Sequence, residues 1–239
     1  MVNNIAIIGS SGAIGSALVQ QLSSLHPNAV IHAFSRHHSA KETDNLRCHS
    51  IDYESEGSIQ QAALLASKDV PLDMVIVATG ILHDGELKPE KCLLDLSEHN
   101  FQRLFQVNTI QPALIAKYFL PKLKRKHRTI FAVLSARVGS ISDNRLGGWY
   151  AYRASKAALN MLIKSASIEI GRSNKQAIVV TLHPGTVNSH LSEPFKHNVP
   201  ENKLFTPAFS AASLLNVVAN LTPTDSGKCF AWDGEEIEP

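Results

Sequence analysis

The sequence predicts a doubly wound α/β domain, in which a parallel sheet is covered by helices on both faces. Seven short runs, at residues 5–8, 29–35, 46–50, 72–78, 129–135, 177–183 and 228–232, are rich in Val and Ile without strict alternation, as strands buried on both faces require. Amphipathic stretches of helical period lie between them, at 14–25, 56–67, 97–123, 150–172 and 206–220. Strand and helix follow one another from end to end, and helical crossovers join parallel neighbours. The 239 residues contain no internal repeat, low-complexity tract or Gly/Ser linker, so one domain spanning 1–239 is expected.

The first strand runs into Gly9-Ser10-Ser11-Gly12-Ala13-Ile14-Gly15 and then a helix. Glycines at such a turn let the chain reverse sharply, bring its backbone close to a pyrophosphate and pack the helix tightly on the strand, while helix N-terminal amides face the phosphates. A strand before and a helix after the triplet make dinucleotide binding the reading, against a plain tight turn. The second strand ends in Phe34-Ser35-Arg36-His37. An acidic residue there would bind the adenosine ribose 2′-hydroxyl and repel a 2′-phosphate. The Ser35 hydroxyl and the Arg36 fork suit that phosphate instead, so NADP is preferred over NAD. Only about ten residues separate the second and third strands, too few for a full crossover helix. Asp52, after the third strand, is placed to accept from the adenine amino group or to cap the next turn.

In the stretches 97–123 and 150–172 the apolar residues wrap most of the circumference, among them Phe101, Leu104, Ile110, Phe119, Leu159, Met161, Leu162, Ile163 and Ile168. The sheet covers one face of each helix and a partner is needed for the other, so a homodimer or homotetramer is expected. Pro112 sits four residues after Asn108, where its missing N–H would have bonded the Asn108 carbonyl; a kink there is expected. The basic run at 122–128 is read as closing that helix, where cations favour the dipole, since no interleaved aromatics are present to stack bases. In Tyr150-Ala151-Tyr152-Arg153-Ala154-Ser155-Lys156, Tyr152 and Lys156 stand at i and i+4, on one helix face a turn apart.

Bulk properties exclude several classes. With 23 basic and 21 acidic residues the net charge is +2, which gives no general attraction to nucleic acid or an anionic membrane. No apolar stretch is long enough to span a bilayer, and the N-terminus lacks a signal peptide's basic region. Cys48, Cys92 and Cys229 are an odd number without a CxxC pair, so neither a disulfide framework nor a metal site is expected and a cytoplasmic location fits.

The Gly9 turn, the Tyr152/Lys156 pair, Asn108, Pro184-Gly185 and the closing Trp232-Asp233-Gly234 together resemble the short-chain dehydrogenase/reductase family over essentially the whole chain. Ser135-Ala136-Arg137-Val138-Gly139-Ser140 and Tyr150-Ala151-Tyr152-Arg153 are most similar to the C-factor and sniffer-type carbonyl reductases. The resemblance implies a Rossmann-type seven-stranded parallel sheet, an NAD(P) cofactor and hydride transfer between a small-molecule carbonyl and its alcohol. It implies Tyr152 as proton donor, with Lys156 and Asn108 in support. Cofactor contacts are implied at Gly9, Ser11, Gly12, Ile14 and Gly15, at Ala78 and Gly80, and at Pro184, Gly185, Val187 and Ser189, besides Ser35, Arg36, Asp52, Tyr152 and Lys156. Bringing a tyrosine from its ordinary pKa of about 10 to about 7 takes roughly 4 kcal/mol, the interaction of a unit charge about 4 Å away at an effective dielectric near 20; Lys156 is the candidate source.

Three departures stand out. The turn is spaced GxxGxxG, as in the larger epimerase-like branch, without that branch's extra C-terminal substrate domain. After the fourth strand the usual Asn-Asn-Ala-Gly is Val77-Ala78-Thr79-Gly80. The usual catalytic serine falls on Ala136; Ser135 is the match by motif and Ser140, beyond Gly139, the alternative by geometry. The leading expectation is an NADP-dependent reductase of an aldehyde, ketone or quinone. Its rivals are a dinucleotide-binding signalling or sensor protein with little or no turnover and, more distantly, an NADP-dependent sugar-nucleotide epimerase. Residues 186–206, with Pro194 and Pro200, are read as a lid loop that sets the substrate and is mobile until the cofactor binds.

Overall fold

The computed structural model describes residues 2–37, 41–85, 87–198, 200 and 203–239. The Val/Ile runs form β1 (Asn4–Ile8), β2 (Val30–Ser35), β3 (Leu46–Ser50), β4 (Met74–Val77), β5 (Thr129–Leu134), β6 (Ala177–His183) and β9 (Cys229–Ala231); a separate pair is made by β7 (Thr186–Val187) and β8 (Leu204–Phe205). Helices α1 (Ala13–Leu25), α2 (Glu56–Ala66), α3 (Glu98–Phe105), α4 (Gln111–Phe119), α5 (Tyr150–Ser173) and α6 (Pro207–Asn220) connect them.

The seven main strands form one sheet in the order β3-β2-β1-β4-β5-β6-β9, parallel throughout. Strand order reverses between β1 and β4, and a crevice opens outside the carboxyl ends of the strands at such a switch point. Side chains alternate across the sheet and both sides are apolar, because both are covered. Ile5, Ile7, Ile31, Ile76, Ile130 and Val180 pack with Leu18, Leu22, Leu214 and Val218 of α1 and α6. On the other side Ile8, Phe34, Val75, Val77, Phe131 and Val179 meet Ile59, Ile115, Phe119, Leu159 and Ile163 of α2, α4 and α5.

Local chemistry sets the helix ends. Ser55 accepts from the Ser58 N–H at the start of α2, and Thr206 accepts from Phe209 before Pro207 opens α6. The stretch 97–123 is one helical run from Glu98 to Lys122, but the kink expected at Pro112 is realised as a π turn over Gln106–Ile110. The widened turn lets the chain pass the missing N–H without breaking the helix.

Two expectations need correction. The basic run does not close that helix: the helical run ends at Lys122 and residues 124–128 lead into β5. Its Arg128 donates instead to the carbonyls of Val218, Ala219 and Leu221, so the cation caps α6, a different helix. The segment 186–206 is not structureless: β7 and β8 pair in parallel, with Thr186 opposite Leu204, and a 3₁₀ stretch runs over His190–Asn198. Residues 199, 201 and 202 lie outside the described residues. Between β2 and β3 no helix forms among the described residues.

Candidate active site

Two adjoining cavities lie along the carboxyl ends of the strands and share a wall of Ala78, Thr79 and Gly80. The first, about 390 Å³, is lined by Gly9, Ser11, Gly12, Arg36 and Asp52. The second, about 260 Å³, is lined by Ile14, Ala136, Tyr152, Lys156, His183, Pro184, Gly185, Val187 and Ser189. A single groove therefore joins the glycine turn to the Tyr152/Lys156 face of α5, bringing together most of the residues singled out by sequence.

The glycine turn is built for close approach. Gly9 has φ +87, and a Cβ there would stand 2.9 Å from the Ala78 carbonyl; a Cβ on Gly15 would lie 2.1 Å from the Gly9 oxygen. Gly12 provides no side-chain cap to α1 and the first turn holds no carboxylate, so its amides remain available to an anion. The Thr79 hydroxyl oxygen, on the shared wall, is buried without a partner. These donors fit the phosphates and amide groups of a dinucleotide. At the far end Arg36 is exposed beside the first cavity. Ser35 departs from expectation: it faces a separate crevice shared with Ser10 and Lys41, and its hydroxyl donates to the His37 carbonyl at 2.7 Å. Asp52 lines the first cavity and also accepts from the Glu54 N–H at 2.9 Å, so the turn-capping reading holds as well.

Helix α5 carries the reactive pair, and its start is held from a distance. Trp149 precedes it in a left-handed conformation, φ +51, without capping it. Glu90, 2 % exposed, supplies the acceptors instead: its carbonyl takes the Trp149 N–H at 2.6 Å and its carboxylate the Ala151 N–H at 3.3 Å. Gly139, on the turn after β5, approaches the Lys156 backbone so closely that a Cβ would stand 2.9 Å from it.

Tyr152 and Lys156 are buried, with the Lys156 Nζ 5.9 Å from the Tyr152 ring centre and donating to the Leu134 carbonyl at 3.0 Å. Burial dominates: it pushes the Tyr152 phenol up, away from neutrality, and draws Lys156 down to about 8. Burial thus favours the protonated tyrosine, the form that a proton donor takes.

Asn108 is fully buried behind Gly80. Its side chain accepts from the Ile81 N–H and donates to the Ile81 carbonyl, both at 2.9 Å, and reaches the Ser155 hydroxyl at 3.2 Å. The asparagine thus clamps the segment after β4 against α5. Ala136 and Ser135 line the second cavity, whereas Ser140 does not. Ser135 donates to the Asn160 carbonyl oxygen at 2.7 Å; Ser140 accepts from the Asp143 N–H at 3.1 Å. Sequence reasoning passed over Thr79, Glu90, Trp149 and His183. His183 alone carried a usable signal, as a polar residue ending a buried strand directly before Pro184-Gly185.

The sequence matches the short chain dehydrogenase family over residues 3–200. The chain belongs to this family. Membership makes it an NAD(P)-dependent oxidoreductase, and one family member, the 1-hydroxy-2-glutathionyl-2-methyl-3-butene dehydrogenase of Rhodococcus sp. (strain AD45), is 32 % identical over 189 residues, covering 79 % of this chain and 78 % of the relative. Among solved structures, the carbonyl reductase Sniffer of D. melanogaster superposes with a TM-score of 0.84 at 23 % identity, over 100 % of both chains. The NADPH-bound carbonyl reductase from chicken fatty liver gives 0.82 at 24 % identity, over 100 % of this chain and 95 % of its own. These two establish a shared fold.

Proposed function

We propose that this short-chain dehydrogenase reduces a small-molecule carbonyl, an aldehyde, ketone or quinone, to its alcohol with NADPH. The observation that carries the reading is the buried Tyr152 one turn from Lys156, in a cavity continuous with the glycine turn. NADPH in the chicken fatty liver enzyme, and carbonyl reductase as the activity named for both structural relatives, support the choice of cofactor and direction.

The residues take distinct parts. Gly9, Gly12 and Gly15 with the α1 amides hold the pyrophosphate, and Arg36 receives the adenosine 2′-phosphate. Pro184, Gly185, Val187 and Ser189 border the nicotinamide end, which when bound supplies the hydride. As the carbonyl carbon is reduced, its oxygen becomes basic and takes the proton from the Tyr152 Oη. The Lys156 ammonium steadies the phenolate left behind, and Asn108 keeps Gly80 and Ile81 in place against the pair. The decisive experiment is NADPH consumption across a panel of aldehydes, ketones and quinones, with Tyr152→Phe as control. Turnover that this variant abolishes while still binding NADPH supports the reading; binding without turnover by the native protein would replace it with a sensor.

A further inference from the structure

The cavity lacks the hydroxyl that position 136 would be expected to supply, and a neighbouring side chain stands ready in its place. The Ser135 N–H bonds the Leu182 carbonyl at 2.7 Å, and the register that pairs Leu134 with Leu182 sets His183 level with Ser135, so Ala136 and His183 both stand where β5 and β6 end beside each other. Both line the second cavity with Tyr152 and Lys156. The His183 Nδ1 is sealed from solvent and has no hydrogen-bond partner, so the ring meets the cavity through its opposite edge, which carries Nε2. Other polar groups nearby serve elsewhere: Arg137 is paired with Glu235 and Asp143, and Thr79 stands on the wall shared with the first cavity.

We infer that the His183 Nε2–H donates to the substrate carbonyl oxygen the hydrogen bond that the side chain at position 136 cannot. The inference rests on the reductase reading above. Burial, followed by the charge of Arg137, brings the imidazole down to about 4, so near neutrality it is uncharged and has one N–H. A buried N–H without an acceptor is rarer than an unpaired acceptor, which puts the proton on Nε2 rather than on the sealed Nδ1. A neutral imidazole is a weak acid that does not compete with Tyr152 for the proton transfer. It polarises the carbonyl and stabilises negative charge as it develops on the oxygen.

The test uses the full-length protein with NADPH and 4-nitrobenzaldehyde, or whichever carbonyl of the panel it reduces fastest. Loss of one such donor typically costs about 10²-fold in kcat, and His183→Ala is expected to lose that much while NADPH affinity, read by fluorescence titration, and the thermal midpoint stay near native values. His183→Gln, which keeps an N–H donor, should recover at least about tenfold of the loss. Ala136→Ser placed in the His183→Ala background should likewise recover activity by restoring a hydroxyl beside the tyrosine. Native kcat in His183→Ala overturns the inference. So does failure of both the glutamine and the serine rescue when cofactor binding is intact, since the histidine would then be acting through packing alone. If the native protein reduces no carbonyl, the reductase reading falls first and this inference with it, a result distinct from a normal native rate left unchanged by the variants.

Discussion

Replacing Asn108 by alanine removes the clamp on the turn after β4, and its cost can be worked from the contacts. The side chain is 0 % exposed and makes two bonds to the Ile81 main chain and one to Ser155. Truncation leaves the part-buried Ile81 N–H and carbonyl unpaired, at about 1–1.5 kcal/mol each toward the lower end for orphaned groups. With a smaller contribution from the vacated volume, the total is about 3 kcal/mol. For a chain of this size each kcal/mol shifts the melting temperature by about 2–4 °C, so a loss of roughly 6–12 °C is expected by circular dichroism. Activity should fall further than stability alone explains, because Gly80 borders both Asn108 and the Lys156 Nζ, each 3.4 Å from where a Cβ would stand. Asn108→Asp keeps the acceptor for the Ile81 N–H but faces the Ile81 carbonyl with a second oxygen, so it should rescue poorly. A melting temperature within about 2 °C of native in Asn108→Ala, together with unchanged kcat, would refute the clamp.

Arg36→Asp should reverse the cofactor preference from NADPH toward NADH, because it replaces the cation beside the first cavity with a charge that repels a 2′-phosphate; relative affinities from titration that do not move would discard the assignment. The buried Lys156, lowered to about 8, is charged below that pH and neutral above it. The kcat/KM for carbonyl reduction should therefore decline as pH rises through about 8, and a profile flat to high pH would contradict a role for the ammonium. Linkage has the opposite sign: the unfolded chain binds more protons between about 8 and the ordinary lysine value of 10.5, so this group's contribution to stability should rise over that window, as urea midpoints at several pH values would check. On α5 Met161, Leu162 and Ile168 remain 66 %, 40 % and 53 % exposed, and Ile110 is 44 % exposed. This unpartnered face is proposed to bury itself in a dimer, which light scattering should detect at micromolar concentration and Met161→Glu with Ile168→Glu should dissociate.

Wherever one local pattern carried the information, the sequence was enough. Strand β6 begins and ends where its apolar run does, with β5 and β9 continuing the ladder on both sides, and β3 does so at the edge of the sheet against β2 alone. The run at 72–78 shortens to Met74–Val77, since Leu72 makes only an isolated bridge to Leu123 and Asp73 turns its carboxylate to the Asn3 and Asn4 N–H groups. The Tyr152/Lys156 pair was legible from helical spacing, and the glycine turn from its position between strand and helix. Features made by residues far apart in sequence were not. Nothing local shows that Glu90 caps a helix beginning 60 residues later, that the Ser135 hydroxyl donates to Asn160, or that Arg128 reaches across to α6. The direction of the Tyr152 shift also depends on depth of burial, which spacing alone does not disclose.

The π turn at Gln106–Ile110 carries a consequence for chain length. Such a turn accommodates one residue more than an α-helix would over the same rise. Deleting one residue there would restore ordinary winding while the segments on either side kept their facing, because the widened turn takes up the surplus residue in place of a rotation. An ordinary α-helix with the same count would turn everything downstream by about 100°. Ile115 and Phe119, both fully buried against the sheet, would then swing off the core. A deletion would instead remove the widened backbone in which Asn108 lies, so the spare residue serves the position of that side chain rather than the aim of α4.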